Sequence, residues 1–475
     1  MIAFETDVER TDVQRTSLER GAAVEARLDR IPASPYLWKL IALLSLGGFF
    51  EFYELFMTAF VSPGLIRSGI FHAGPNGIFH LPDQAAFASV TFLGLFLGTI
   101  LLGGIADRWG RSAAFRSFAF CYAAATTVMA MQNTAMAIDG VRLICAIAIG
   151  AQLITLDTYA SEIVPRHLRG RAFALSFAII QTAVPVLALL GWFLVPRAPL
   201  HIQGWRWLVL MGGAGSFVVW MLCRFLPESP RWLARNGRLE EAERVTSVFE
   251  RHAETHLGHP LPAPKAATSK HVAKTSFAEI FRAPYRQRTI MLTVFHFFQA
   301  IAFYGFGNWL PALVNAQNHD APRSAQVSFL ITLAFPIGPL LWTTIAERYE
   351  RKWQIVGAAV GTAAFGLLFA SHTAPLELVV LGILITLMNS LLGYSSHAYQ
   401  AELFPTRMRA RAVGFVYSWG RLSTAFTSLM IGFLFQRFGS AGVFALIALA
   451  MFVVVVSVGV FGARTRGLTL EQISD

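Results

Sequence analysis

The chain has 475 residues, of which 55% are hydrophobic and only 14% are charged. Soluble domains usually carry about 25% charged residues, so the composition excludes an ordinary soluble protein and indicates one that faces lipid. The formal net charge is +11, which taken alone would also suit a nucleic-acid-binding protein.

Long apolar stretches run along almost the whole chain. A bilayer core of ~30 Å requires about 20 apolar residues in a helix, and a helix satisfies its own backbone hydrogen bonds in lipid. We therefore expect an all-α membrane protein with two six-helix bundles. The sequence predicts twelve spans, numbered one to twelve, at residues 37–60, 85–106, 117–134, 140–161, 172–194, 207–223, 289–313, 325–346, 353–371, 378–400, 412–434 and 440–462.

The basic residues are distributed unevenly between the two sides of this predicted membrane. If the N-terminus is cytoplasmic, Lys39 lies at the cytoplasmic start of span one, and only Arg142 and Arg421 of the 39 lysines and arginines lie deeper inside spans. The outward segments then hold only Arg67, Arg197, Arg206, Arg323 and Arg437. An excess of Lys and Arg in cytoplasmic loops sets orientation, so we expect both termini in the cytoplasm, an inner (plasma) membrane location and no nucleic-acid partner.

The chain divides into five predicted segments. They are a cytoplasmic N-terminal tail (1–36), an N-terminal bundle (37–223), a cytoplasmic central loop with short helices (224–288), a C-terminal bundle (289–462) and a cytoplasmic C-terminal tail (463–475). The first tail lacks the pattern of a cleaved signal and is expected to form a loose surface helix. Helix breakers are expected to bend four spans, at Gly47-Gly48, Pro185, Gly305, Gly307, Pro311, Pro336 and Gly338-Pro339.

Two charged motifs occur once in each half of the chain. Asp107-Arg108 with Gly110-Arg111 recurs as Glu347-Arg348 with Arg351. At the same offset, Glu162, Pro165, Arg169 and Arg171 recur as Glu402, Pro405, Arg409 and Arg411. A shared offset indicates an internal duplication, so the two bundles are predicted to be pseudo-symmetric.

The stretch from Gly103 to Arg111 resembles the signature loop between helices two and three of the major facilitator superfamily. Pro227-Glu228-Ser229-Pro230-Arg231-Trp232-Leu233 resembles the sugar-porter and metabolite-porter branch. The resemblance implies alternating access and a cytoplasmic latch that ties the two bundles together when the site faces outward. The alternative is that these charges serve only topology. The latch residues are Asp107, Arg108, Arg111, Glu162, Arg169, Glu347, Arg348, Glu402 and Arg409.

Apart from Lys39 at the cytoplasmic start of span one, five charged residues, Glu51, Glu54, Arg142, Asp157 and Arg421, fall within the predicted spans. Each costs at least ~2.5–3.5 kcal/mol on insertion scales, so such residues usually pair or line a pathway. Glu54 aligns with the coupling carboxylate of proton-coupled sugar porters, and Arg142 with the arginine that pairs with it. The resemblance implies a proton-coupling pair, with a structural ion pair as the alternative. Glu51 lies one turn away on the same helix face, with protons, substrate or water as its open roles, and no direct role is expected for Asp157.

Arg421 lies near the middle of span eleven, where secondary transporters bind their cargo. No acidic residue of spans seven to twelve lies at similar depth, so its guanidinium is a candidate clamp for a substrate carboxylate. Pairing with Glu51 or Glu54 is the alternative. Trp419-Gly420-Arg421-Leu422 resembles helix eleven of organic-anion and aromatic-acid carriers. The further candidate substrate-binding residues are Tyr53, Gln299, Tyr304, Asn308 and Tyr394.

Span seven departs from the sugar porters, which carry a double glutamine and an asparagine where this chain has Phe298-Gln299 and Tyr304. Gly393 to His397 replaces their Pro-Trp pattern in span ten, and Phe303 to Pro311 is closer to aromatic-acid and niacin-type carriers. The resemblance implies proton-coupled symport of a small organic carboxylate, with an aromatic one favoured. A sugar or polyol:proton symporter and a non-transporting nutrient sensor are the alternatives. No sequence pattern indicates an enzyme, cofactor or metal, and a monomer is expected.

Overall fold

The computed structural model describes residues 19–72, 74, 81–264, 277–318, 321–343, 349–404 and 408–465, and the regular structure in these ranges is helical. The N-terminal half contains α1 (19–29), α2 (Pro35–Arg67), α3 (Asp83–Leu102), α4 (Ile105–Trp109), α5 (Arg111–Met129), α6 (Ala135–Ile163), α7 (Arg169–Gln181), α8 (Ala183–Leu194) and α9 (Gly204–Leu222). Between the halves lie α10 (Pro230–Arg235) and α11 (Leu239–Leu257). The C-terminal half contains α12 (Tyr285–Gly307), α13 (Leu310–Asn318), α14 (Ala321–Thr332), α15 (Ala334–Thr343), α16 (Arg351–Ser371), α17 (Pro375–Glu402) and α18 (Arg409–Phe461).

These helices account for all twelve predicted spans. Ten segments of the described chain are long and apolar enough to cross a membrane. One of them, Ala412–Phe461, is long enough for two spans, and its backbone leaves the helical conformation at Gly439, where φ is +61°. The remaining predicted span is α5, which is less apolar because Arg111 and Arg116 lie in its first two turns.

Three of the predicted proline breaks are present, and each follows the same rule. Proline has no N–H, so the carbonyl four residues before it loses its helical donor. Spans five, seven and eight are each divided into two helices at that point. The first helix ends at Gln181, Gly307 and Thr332, four residues before Pro185, Pro311 and Pro336 respectively.

The predicted glycine break in span one is wrong, because α2 is continuous from Pro35 to Arg67. Gly47 and Gly48 instead allow neighbouring helices to approach closely. A Cβ on Gly47 would lie 2.5 Å from Cζ of Phe115, and one on Gly48 would lie 2.6 Å from Cδ1 of Ile180. The glycine pair is therefore a packing feature of α2 rather than a bend.

Each half packs around an apolar core of its own, and the two halves meet along a few helix pairs. The main contacts join α3 to α18, α7 to α15 and α8 to α14. In terms of spans, two meets eleven and five meets eight. Exchanging the halves converts one of these pairs into the other, as expected for two bundles related by pseudo-symmetry.

The first described helix is not the loose surface helix that the sequence predicts. Val24, Leu28 and Ile31 recur at the spacing of one helix face and are buried. On its polar side, Arg27 and Arg30 each lie 2.5 Å from the carboxylate of Glu250 on α11. Burial alone would raise the pKa of Glu250, but the hydrogen bonds from the two arginines lower it. Residues 19–29 are thus docked on α11, and we call this end of the bundle, which carries α1, α10 and α11, the basic end.

Candidate functional site

A buried ion pair joins α2 to α6 in the N-terminal half. Glu54 and Arg142 are fully buried, and Nη1 of Arg142 lies 2.8 Å from Oε2 of Glu54. Arg142 also donates from Nη2 to the backbone carbonyl of Glu54 and from Nε to Oγ1 of Thr91 at 2.9 Å. A buried pair persists when its other hydrogen-bonding groups are satisfied. The expected contact is present, and its role in proton coupling stays a prediction.

The second oxygen of the Glu54 carboxylate is in a different situation. Oε1 makes no hydrogen bond of ordinary geometry to any described residue, although Thr126 interacts with the carboxylate at longer range. Gly212 on α9 leaves the space for it, because a Cβ there would lie 2.8 Å from Oε1. One oxygen is held by Arg142 while the other can take up a proton without breaking that contact.

Glu51 lies one turn nearer the basic end on α2. It is fully buried, and neither of its oxygens makes a hydrogen bond of ordinary geometry to any described residue, although Gln152 interacts with the carboxylate at longer range. It interacts electrostatically with Asp157 on α6 and with Arg421 on α18. Because a buried carboxylate without hydrogen bonds is costly as an anion, Glu51 is a group whose charge depends on what occupies the space around it.

Arg421 lies where the two halves meet. Its Nη1 donates to Oγ1 of Thr99 on α3, and its guanidinium carbon lies 5.5 Å from the ring centre of Tyr417. Within the described residues it forms no ion pair at 4.0 Å or less, and it interacts with Glu51 and Asp157 only at longer range. The alternative in which Arg421 pairs directly with Glu51 or Glu54 is therefore not what the structure contains.

A central cavity of about 80 Å³ lies beside Arg421. Its aromatic lining comes from both halves, and so do its amide side chains. The aromatic residues include Phe52, Phe177, Phe303, Tyr304 and Tyr417, and the amide residues are Gln181, Gln299 and Asn389. Such a mixture of flat apolar walls with a few polar groups and one cation is typical of small-molecule sites.

The predicted substrate-binding residues are only partly brought together. Gln299 and Tyr304 line the central cavity with Arg421, whereas Tyr53, Asn308 and Tyr394 do not. Tyr53 faces α9, where its hydroxyl donates to the backbone carbonyl of Leu208 at 2.9 Å. Asn308 is buried between α12 and α13, in the break caused by Pro311.

Several lining residues were missed by the sequence analysis. Gln181 and Asn389 are ordinary polar residues within apolar spans, and only their burial could have marked them. His397 lies in a stretch that was noted only for departing from the sugar-porter pattern, and Tyr417 lies one turn before Arg421, outside the stretch that was noted there.

A second cavity of about 640 Å³ lies between the halves at the end opposite the basic end. Successive turns of α2 connect the two cavities: Phe52 lines the central one, Phe60 lines the larger one, and Phe56 lies between them. The Phe56 ring centre lies 5.6 Å from that of Phe335 and 6.1 Å from that of Phe303. A solute moving between the cavities must displace this aromatic layer.

Residues 40–475 match the family model described as "Sugar (and other) transporter". The chain belongs to this family. It is a multi-pass membrane transporter and not an enzyme, as the sequence analysis expected.

Relatives of known name match the transporter over nearly its full length. The niacin transporter NiaP of Acinetobacter baylyi is 25% identical over 449 residues, which cover 94% of this chain and 99% of the relative. The inner membrane metabolite transport protein YdjE of Escherichia coli is 25% identical over 466 residues, which cover 96% and 100%.

Solved structures identify the fold. The partially occluded inward open structure of the xylose transporter XylE from E. coli matches with a TM-score of 0.72 and 16% identity, over 92% of this chain and 100% of that one. The proton:xylose symporter XylE bound to 6-bromo-6-deoxy-D-glucose matches with a TM-score of 0.70 and 17% identity, over 92% and 98%. The predicted twelve-helix major facilitator fold is confirmed.

The charged motif at the basic end of the transporter is a compact network within the N-terminal half. Arg111 lies 2.7 Å from Asp107 and 3.1 Å from Glu162. The carboxylate of Glu228 accepts the backbone N–H groups of Arg111 (2.7 Å) and Ser112 (3.1 Å), and so caps the start of α5. The Pro227-Glu228-Ser229 motif thereby ties the segment after α9 to α5.

This network does not connect the two halves within the described residues, in contrast to the latch that the sequence predicts. The second copy is represented by the ion pair of Arg351 and Glu402 at 2.6 Å, which corresponds to the pair of Arg111 and Glu162 in the first copy. Arg108 is exposed, and Arg169 donates to the backbone carbonyl of Val164. Glu347, Arg348 and the side chain of Arg409 lie outside the described part of the chain. The latch role stays a prediction.

We expect Arg111→Ala to slow transport and to destabilise the transporter, whereas Arg251→Ala on α11 does neither. The first change leaves Glu162, which is 5% exposed, buried without its cation, and breaking a buried pair in this way costs about 3–5 kcal/mol. The second removes the same charge from an exposed position and is the matched control. Thermal unfolding in detergent and initial uptake rates in proteoliposomes measure both effects. Equal loss in both variants would contradict this role of Arg111.

Proposed function

We propose that the transporter performs proton-coupled symport of a small organic carboxylate, with an aromatic carboxylate as the favoured substrate. Alternating access between the two bundles would carry the substrate across the membrane. We also propose that the basic end faces the cytoplasm of the cell inner membrane, which the excess of basic residues there supports. The relative named as an inner membrane transport protein supports the same location. The transporter is proposed to work as a monomer.

The observation that carries this proposal is the position of Arg421. Its guanidinium lines the central cavity, and it has no ion-pair partner among the described residues. Its planar group can bind a carboxylate through two parallel hydrogen bonds. The phenyl and phenol rings of Phe52, Phe177 and Tyr417 around the same cavity suit a flat substrate. The niacin transporter among the relatives supports the same class of substrate.

Proton coupling is assigned to Glu54, with Arg142 as its partner and Glu51 as a second acidic group. Oε1 of Glu54 is free of hydrogen bonds among the described residues, while Oε2 is held by Arg142. Glu51 interacts electrostatically with Arg421, and so connects the carboxylates of Glu51 and Glu54 to the arginine that is proposed to bind the substrate. Protonation of these carboxylates can then respond to the arrival of a substrate anion at Arg421.

A sugar or polyol is the second candidate, because three amide side chains line the central cavity. Gln181, Gln299 and Asn389 offer the mixed donors and acceptors that hydroxyl groups require. The fold match to a proton:xylose symporter is consistent with this candidate.

Uptake into proteoliposomes under an imposed pH gradient distinguishes the two candidates. We expect labelled benzoate to accumulate when the outside is acidic, and labelled xylose not to accumulate. Liposomes without protein and liposomes under a collapsed gradient are the controls, because a weak acid also crosses lipid in its neutral form. Accumulation of xylose without carboxylate transport would overturn the proposal in favour of the sugar candidate.

A further inference from the structure

A chain of three hydrogen-bonded side chains lies beside the central cavity in the C-terminal half. Nε2 of His296 on α12 lies 2.8 Å from Oε1 of Gln400 on α17. Nε2 of Gln400 lies 3.3 Å from Nδ1 of His397 on the same helix. His296 and Gln400 are buried, at 2% and 3% exposure. His397 is exposed and lines the cavity.

The amide of Gln400 determines where the protons of this chain lie. An amide oxygen only accepts hydrogen bonds and an amide nitrogen only donates them. Nε2 of His296 therefore donates to Oε1, and Nδ1 of His397 accepts from the amide nitrogen. A neutral imidazole whose Nδ1 accepts carries its proton on Nε2. His397 consequently presents one N–H donor on the side of its ring turned away from Gln400.

His397 lies near Arg421, because both side chains lie beside the ring of Tyr417. The ring of His397 lies 5.7 Å from the ring centre of Tyr417, and the guanidinium carbon of Arg421 lies 5.5 Å from the same centre. The ring centre of His397 and the guanidinium carbon of Arg421 can therefore be no further apart than these two distances combined. This upper limit is of the order of the length of one aromatic ring with its carboxylate and a hydrogen bond at either end.

We propose that His397 is a second specificity determinant of the central site. Arg421 holds the carboxylate, and Nε2–H of His397 donates to a hydrogen-bond acceptor carried by the substrate ring. This inference rests on the function proposed above and narrows its substrate class. The preferred substrates are small aromatic monocarboxylates with a ring nitrogen or a ring-borne oxygen, rather than unsubstituted aromatic acids. Gln400 and His296 are positioning residues that hold His397 in the donating tautomer.

Ligand selectivity separates this role from a structural one, in which the three residues merely brace α12 against α17. The probes are benzoate, pyridine-3-carboxylate and 3-hydroxybenzoate, and their equilibrium binding is measured on the purified transporter. A net hydrogen bond is worth about fivefold to tenfold in affinity. In His397→Phe, the preference for the two acceptor-bearing acids over benzoate should fall by about that factor. His397→Gln keeps a donor and should recover part of the preference.

Each outcome decides the inference. A change in the ratio for only one of the two acceptor-bearing acids supports it and identifies the acceptor as a ring atom or a substituent. An unchanged affinity ratio in His397→Phe overturns it. A wild-type transporter that favours benzoate more strongly than His397→Phe does also overturns it. Monodispersity and unfolding temperature of each variant report whether it is folded.

Arg421→Ala separates this inference from the proposed function. It should weaken all three acids by a similar factor and leave their ratios intact. If it weakens none of them, or if the wild-type transporter binds no carboxylate, the proposed function fails and the inference fails with it. If Arg421→Ala behaves as expected while His397→Phe leaves the ratios unchanged, only the role of His397 is lost.

Discussion

Glu54→Gln is expected to abolish accumulation of substrate against a gradient while leaving exchange between equilibrated pools intact. Exchange needs only the loaded carrier to reorient, whereas net accumulation needs a site that is alternately protonated and deprotonated. Glutamine keeps an oxygen that can accept the hydrogen bond that Arg142 now makes at 2.8 Å, but it cannot release a proton. The measurement is pH-driven uptake and counterflow in the same proteoliposomes.

The control for Glu54→Gln addresses the buried charge that it leaves behind. Arg142 is fully buried, and a buried cation that loses its anionic partner destabilises a protein by about 3–5 kcal/mol. Unfolding temperatures and the counterflow rate itself therefore show whether the variant is intact. Glu377→Gln is the matched control, since it makes the same change at an exposed position at the start of α17, away from the ion pair. A Glu54→Gln variant that concentrates substrate as wild type does would exclude Glu54 as the coupling site.

The features that the sequence predicts correctly are those with local causes. A proline removes one hydrogen bond at a known position, so the ends of α7, α12 and α14 follow from Pro185, Pro311 and Pro336. The apolar runs predict the spans for the same reason, since each must cross the bilayer on its own. The contact between Glu54 and Arg142 follows from resemblance and from the cost of two isolated charges in lipid.

The features that the sequence does not predict depend on distant neighbours. Gly47-Gly48 could either bend α2 or allow another helix to approach closely. The structure contains the close approach, in which the ring of Phe115 and the side chain of Ile180 pack against the two glycines. Tyr53 neighbours Glu54, yet its hydroxyl is bonded to α9 rather than directed to the cavity. Local pattern identifies the polar and aromatic residues of a span, but it does not determine which of its faces meets the other half.

The charged motifs contain one feature that the sequence predicts and one that it does not. Their repetition predicts the duplicated pairs Arg111–Glu162 and Arg351–Glu402. The participation of Glu228 as the cap of α5 could not be predicted, because it requires the end of span six to lie beside the start of span three. Within the described residues, the network around this cap lies inside one half.

Arg421→Ala is expected to weaken binding of a carboxylate substrate by about tenfold to a hundredfold, because charge-assisted hydrogen bonds contribute roughly 1.5–3 kcal/mol. Arg421→Lys should recover only part of the affinity, since lysine lacks the planar fork. The uncharged amide of the same compound should bind the wild-type transporter poorly and lose little in Arg421→Ala. Arg437→Ala, which removes an arginine outside the cavity, is the matched control. Equal affinities for acid and amide in the wild type would contradict the clamp.

The charge of the substrate also determines which gradient can drive uptake. A monoanion carried with one proton makes the cycle electroneutral, so the membrane potential contributes nothing. Each pH unit then contributes about 1.4 kcal/mol, which corresponds to a tenfold accumulation. Valinomycin-imposed potentials should leave uptake unchanged while pH jumps drive it. Strong stimulation by potential alone would mean either that more than one proton moves per cycle, through Glu51 as well as Glu54, or that the substrate is neutral. The amide comparison separates these cases, because only a neutral substrate is indifferent to Arg421, and that result would place the sugar candidate first.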